Sequence, residues 1–178
     1  MKFNRDEPEL DPTDVSILEL LQENCKQPLA AIGEKVGLSA PAVVERIHKL
    51  EEAGVIRSYA AILDARLVGK DVTAFIGVST LRVDAIRAVE NAVLGLDEVL
   101  ECHHVTGAHT LMLKVKTRNT ETLERLIERV RSLDGVVRTE TMVVLSTHAE
   151  RTRVALEPDL DPDLRRRQAG PRSRRVVR

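Results

Sequence analysis

Apolar residues in this 178-residue chain keep one period up to about residue 54 and another beyond it, and that change restricts the fold more than any other feature. Up to Gly54 they recur at i, i+3, i+4 and i+7, the spacing of helices that bury one stripe. From Val72 onward, alternating runs of strand length are interleaved with two further helical stripes. Such a pattern predicts a helical unit followed by a sheet unit, not a single bundle or barrel.

Three short helices are expected in residues 11–54. Asp11 suits the N-cap of the first, Pro12 its first position and Asp14 its positive end. Val15, Leu18 and Leu21, with Ile17 beside them, form its apolar stripe. Pro28 opens the second helix, whose Leu29, Ile32 and Val36 share a face, and Gly37 supplies the left-handed residue that ends it. Ser39 caps the third, Pro41 is tolerated in its first turn, and Gly54 stops it. Two helices joined by a short glycine-containing turn have the arrangement of a helix-turn-helix, although a generic three-helix bundle shows the same stripes. Val43, Ile47 and Leu50 point inward, which leaves Ala40, Pro41, Ala42, Val44, Glu45, Arg46, His48 and Lys49 on other faces. Small residues at a helix N-terminus permit close approach to a groove, and Arg46 and Lys49 can reach bases or phosphates.

Val55 to Leu63 reads as a strand leaving the helical unit, and residues 64–71 as a linker. Strands follow at 72–81, 98–105, 110–116 and 136–145, with helices at 84–93 and 120–133. The order β-α-β-β-α-β is a ferredoxin-like α+β unit with both helices on one face of an antiparallel sheet. Apolar side chains on the uncovered face, as alternation through Val143, Val144 and Leu145 requires, make that face a dimerisation surface.

Charge is unevenly spread. Seven arginines and no acid occupy residues 164–178; removing them from the formal net charge of −1 leaves −8 for residues 1–163. Residues 149–178 read as a basic tail, expected to be disordered from about residue 155, and such a run is either a solvated tail or a phosphate-attracting arm. Residues 11–62 carry five basic and eight acidic side chains, so any DNA-binding surface there is a local patch or is assisted by the tail. Aromatics make up 2% of the chain, which disfavours base stacking on single strands. Without a long apolar run or a secretory leader, and with only Cys25 and Cys102 far apart, the chain is expected to be cytoplasmic, with no membrane partner.

Little in the sequence suggests catalysis. Cys102, His103, His104 and His109 cluster, but neighbours on a strand point to opposite faces, so neither a metal site nor a cofactor is expected. There is no nucleophile elbow, phosphate-binding glycine loop or H-E-x-x-H, and Glu19, Glu23, Glu121, Glu124 and Glu128 read as solvated helix faces.

The chain resembles the Lrp/AsnC family of transcriptional regulators. The resemblance runs from about residue 10 to 148, on Leu-Asp-Pro-Thr-Asp-Val-Ser-Ile-Leu (10–18), the stretch from Gly37 to Ile56, Ile-Leu-Asp (62–64) with Gly69, and Val-Thr-Gly (105–107) before Leu-Met-Leu-Lys-Val. It implies a DNA-binding helix-turn-helix domain at 10–63 and a ligand-sensing, oligomerising domain at 72–148. The implied partners are double-stranded DNA, an amino acid or related metabolite, and further copies of the chain, as dimers assembling into a tetramer or octamer. It also implies DNA contacts from Ser39, Ala40, Pro41, Ala42, Glu45, Arg46 and Lys49. The implied effector site is Gly107, Ala108, His109 and Thr110, with Thr139 and Thr141 on the last strand. Here the sequence departs from the family, because many members carry an aspartate in that loop and this chain has none. A sirohaem-decarboxylase-like enzyme shares the two-domain frame, but the short 105–111 hairpin and the scarcity of aromatics speak against a tetrapyrrole cleft, so no enzymatic activity is expected.

Overall fold

The structure is a computed structural model that describes residues 8–156. The chain divides into two compact units. Among the described residues one holds 8–60 together with the strap 151–156, and the other runs from Ala61 to Glu150.

Three helices make the first unit: α1 (Pro12–Glu23), α2 (Leu29–Val36) and α3 (Ala40–Glu52). Asp11 starts α1 by a reciprocal capping box. Its carboxylate accepts from the Asp14 N–H at 2.8 Å, and the Asp14 carboxylate accepts from the Asp11 N–H at 3.3 Å. Ser39 caps α3 by accepting from the Ala42 N–H. The core is Ile17, Ile32, Val43 and Ile47, closed by Leu20, Leu21, Val36, Leu38 and Ile56. On α1 the buried stripe is centred on Ile17 and Leu18, with Val15 and Leu21 half-buried, because a helix covered by two neighbours hides a stripe wide enough for consecutive positions. Leu29 lies exposed, off the expected face of α2.

Gly33 lets the turn close. A Cβ on this helical residue would lie 2.4 Å from the carbonyl oxygen of Leu38. Gly37 then takes φ +72° and donates its N–H to Gly33 O, while Leu38 N–H reaches the same oxygen at 2.9 Å. Beyond α3 the expected strand 55–63 is absent: the backbone is irregular, and Ile62 stays 75% exposed. A strand needs a ladder partner, and among the described residues none pairs with this segment.

The second unit contains β1 (Val72–Thr80), α4 (Ala85–Leu94), β2 (Val99–His104), β3 (Leu111–Thr117), α5 (Thr120–Arg131) and β4 (Val136–Val143). The strands form one antiparallel sheet in the order β2-β3-β1-β4. Alternation puts Ala74, Ile76 and Val78 of β1 and Leu111, Leu113 and Val115 of β3 on one side. There they meet Ile86, Val89 and Val93 of α4 and Leu123, Leu126 and Val130 of α5. Phe75, Gly77, Met112, Lys114, Lys116, Glu140 and Met142 take the other side by register. Glu150 returns to this open side, where its carboxylate pairs with Lys114 and lies 3.3 Å from Lys116.

Ordered chain continues beyond residue 148. Gln22 brackets the backbone of Val154, accepting its N–H at 2.7 Å and donating to its carbonyl at 3.1 Å. The part of the expected tail at residues 157–178, with its expected disorder, lies outside the described residues.

Candidate nucleic-acid interface and effector loop

With Val43, Ile47 and Leu50 buried, α3 turns Val44, Glu45, His48 and Lys49 outward, and its N-terminal turn offers Ser39, Ala40, Pro41 and Ala42. Val44 is 47% exposed. Its isopropyl group and the small residues of the first turn can lie against thymine methyls, and Glu45 can accept from a cytosine amino group. Glu45 and Lys49 pair across one turn at 2.7 Å, and this hydrogen bond holds the Glu45 carboxyl below its ordinary value. His48 stands 3.4 Å from Glu52.

Arg46 differs from the sequence expectation, which put it on the exposed side of the helix. Its side chain is two-thirds covered, and a single nitrogen, Nη1, lies 2.6 Å from Asp11 Oδ2 and 2.7 Å from Asp14 Oδ1. Position 46 faces the start of α1, where two carboxylates already stand together as a capping box. The Asp11 carboxyl is held below its ordinary value, first by the Asp14 N–H that it accepts and then by Arg46. The same carboxylates, Asp14 foremost, raise the Arg46 pKa. Arg46 therefore braces α3 on α1.

In the β2–β3 loop, Gly107 takes φ +118°, a conformation that suits glycine, and Ala108 is exposed beside it. His109 folds back over β1. A Cβ at Gly77 would lie 2.4 Å from the imidazole, so the ring occupies the space that a side chain would take. Its Nδ1 is 3.3 Å from Ser79 Oγ and its Nε2 is 3.6 Å from Glu140, and only 11% of the side chain remains exposed. Thr110 donates its N–H to Val78 O at 2.9 Å, and its hydroxyl accepts from the Thr80 N–H at 3.2 Å.

Gly107 to Thr110 stand together in this loop, but the structure does not bring Thr139 and Thr141 to them on the open side. They stand opposite Val78 and Ile76, on the helix-covered side, while Glu140, opposite Gly77, shares the open side with His109. Gly77, Ser79 and Glu140 were missed by sequence reasoning. The available signal was an isolated glycine in a strand pattern, which marks a close approach.

Among the described residues no group of three or more His, Cys, Asp or Glu is arranged to hold a metal ion. His103 pairs with Glu101 at 3.1 Å on the open side, whereas Cys102 turns towards the core. Burial, and then the charge of Glu90, push the Cys102 thiol pKa up, away from reactive thiolate. No helix among the described residues is long and apolar enough to cross a membrane.

Comparison with known proteins matches both units. Residues 10–51 match the AsnC-type helix-turn-helix domain, and residues 73–154 match the Lrp/AsnC ligand binding domain. The HTH-type transcriptional regulator FL11 of Pyrococcus horikoshii is 34% identical over 83% of this chain and 97% of its own length. The solved regulator NMB0573 of Neisseria meningitidis, in complex with L-Met, aligns with a TM-score of 0.78 at 31% identity, over 83% of this chain and 97% of that one. AsnC of E. coli aligns at 0.77 and 28% identity, over 82% and 99%. With its helical unit and its sheet unit each matched, and with relatives matched over nearly their whole length, the chain belongs to the Lrp/AsnC family of transcriptional regulators.

Proposed function

We propose that α3 enters the major groove of duplex DNA with Ser39, Ala40, Pro41 and Ala42 leading and Val44, Glu45, His48 and Lys49 alongside. We further propose that the sheet unit senses an amino acid or related metabolite at Gly107 to Thr110. The observation that carries the DNA reading is the division of α3 into a buried stripe, a braced side at Arg46 and an exposed side with small residues at its tip. A helix presented in this way fits a groove about 12 Å wide. In this reading residues 10–63 bind DNA and residues 72–148 sense and assemble. Partly apolar groups on the open sheet face, Phe75, Met112 and Met142, support pairing of copies. A dimer then presents two reading helices to half-sites about 34 Å apart, or a multiple of that spacing. Larger assemblies, a tetramer or octamer, engage more half-sites together. In this reading the protein works in the cytoplasm, beside its DNA.

Val44→Glu puts a carboxylate on the exposed side without touching the core. It is expected to weaken binding to a duplex from upstream of the protein's own coding sequence by at least ~10-fold, about 1.4 kcal/mol, with an unchanged melting temperature. Gel-shift affinity equal to wild type would remove α3 as the reading element.

The effector reading draws support from the L-Met complex of the Neisseria relative. A ligand that prefers the native state raises its stability by about 2.7 kcal/mol at a hundred times its Kd. Screening the twenty amino acids by thermal shift is expected to give at least one hit that Gly107→Val abolishes. A hit that survives in that variant places the site elsewhere.

A further inference from the structure

The open side of the sheet carries charge that pairing of copies would bury. Register places Lys114 and Lys116 of β3, Arg138 and Glu140 of β4 and Glu101 of β2 on that side, among Phe75, Met112 and Met142. Both lysines are largely covered, with 16% and 18% of their side chains exposed. The strands by themselves therefore give this face three cations against two carboxylates.

Glu150 supplies the third carboxylate, from beyond the end of β4. One of its oxygens meets Lys114 Nζ, and the other stands 3.3 Å from Lys116 Nζ. Lys114 has a second partner in Glu101, at 3.1 Å. Lys116 has no other ion-pair partner among the described residues. The two lysines, Lys114 foremost, hold the Glu150 carboxyl below its ordinary value, so it is ionised at neutral pH. Arg138 is paired with Glu140 at 3.1 Å. With Glu150 in place, three cations stand against three carboxylates, and each has a partner within the same copy.

This balance matters because a face that pairs copies about a twofold axis meets itself. Any net charge on it is doubled across the contact, with no partner of opposite sign to cancel it. An ammonium group withdrawn from water without its carboxylate costs far more than one that keeps it. Glu150 thus decides whether Lys116 enters an interface as half of an ion pair or as a bare cation.

We propose that the Glu150 carboxylate is the charge cap that lets this sheet face be buried against the same face of a second copy. The proposal rests on the reading that copies pair through the open side. Only a copy whose Glu150 lies on Lys114 and Lys116 presents a neutral face to its partner.

The test follows full-length chains without DNA. Sedimentation gives the assembly, and subunit exchange between donor- and acceptor-labelled copies gives its strength. Glu150→Gln is expected to speed exchange at least ~10-fold, since losing one partner of a buried charge pair acts mainly on dissociation. Adding Lys116→Met to Glu150→Gln removes the orphaned cation and leaves two cations against two carboxylates. Exchange in that double variant should return to within ~3-fold of wild type. Glu121→Gln deletes the same charge on α5, where Glu121 pairs with Arg125, and should exchange like wild type.

Exchange at the wild-type rate in Glu150→Gln overturns the cap. A double variant as fast as Glu150→Gln also overturns it, because the loss is then not one of charge on Lys116. So does a Glu121→Gln chain as fast as Glu150→Gln, because the chain's net charge is then responsible. Phe75→Lys, between Lys114 and Met142 on the same face, separates the two readings. A Phe75→Lys chain that assembles like wild type, or a wild type that is monomeric, removes open-side pairing itself. If Phe75→Lys falls apart while Glu150→Gln holds, the pairing stands and the cap alone fails.

Discussion

Gly33→Val is expected to lower the stability of the helical unit by about 3 kcal/mol or more, and to abolish duplex binding with it. The Cβ of any residue here would stand 2.4 Å from a main-chain oxygen, Leu38 O, which cannot move alone. That oxygen belongs to the turn joining α2 to α3, and Gly33 O itself receives the N–H groups of Gly37 and Leu38. Relieving the clash therefore opens the turn and swings α3. Helix propensity opposes the loss, since leaving glycine in a helix interior gains up to about 1 kcal/mol with alanine and less with a β-branched residue. Gly33→Ala is accordingly milder, at about 2 kcal/mol. Gly37, which has open space around its missing Cβ and needs only its left-handed backbone, should accept asparagine at a cost below about 1 kcal/mol. Chemical denaturation of the three variants gives the order directly. A Gly33→Val chain as stable as wild type would mean that the turn is not fixed by this contact.

Arg46→Ala is expected to cost about 2 kcal/mol at neutral pH. Removing a partner from a buried ion pair costs about 3 to 5 kcal/mol, and partial exposure of Arg46 and Asp11 reduces that through solvent screening. Asp14, whose side chain is only 15% exposed, would be left facing Asp11 with no cation between them. The loss depends on pH in a definite direction. Asp11 has a folded pKa below its ordinary 3.8, so its contribution is present above that value and disappears as pH falls through the folded one. The gap between wild type and Arg46→Ala should therefore narrow below about pH 4. The Asp14 N–H, the larger cause of the shift, is present in both chains and cancels from the gap, so only the part of the shift due to Arg46 contributes to the narrowing. A gap of constant size from pH 7 to pH 3 would argue that lost packing, and not charge, is responsible. Where the variant is folded, its preference between duplexes should persist, since Arg46 faces α1.

The helix boundaries were legible because their signals are local. Asp11, Ser39 and Gly37 act on groups within a few residues, and periodicity alone identified Val43, Ile47 and Leu50 as buried. The alternation of β1 and β3 likewise determined which side faces α4 and α5. Arg46 was misread because its partners are 32 and 35 residues away, and no pattern on α3 reports where the start of α1 lies. Thr139 and Thr141 were grouped with the loop because the face a strand residue takes depends on its register with β1, which the sequence of β4 does not carry. Residues 55–63 have strand composition but no partner in one copy of the chain, and composition cannot provide one. His109 was placed in the right loop, but its fold back over Gly77 comes from a glycine 32 residues earlier.

Asp11 has two duties, since one carboxylate both begins α1 and grips α3. Fraying at the amino end of the first helix, ordinarily a harmless local event, here loosens α3 as well. Substitutions at positions 11, 14 and 46 are consequently coupled, and a fusion partner crowding the residues ahead of Pro12 would be felt at α3.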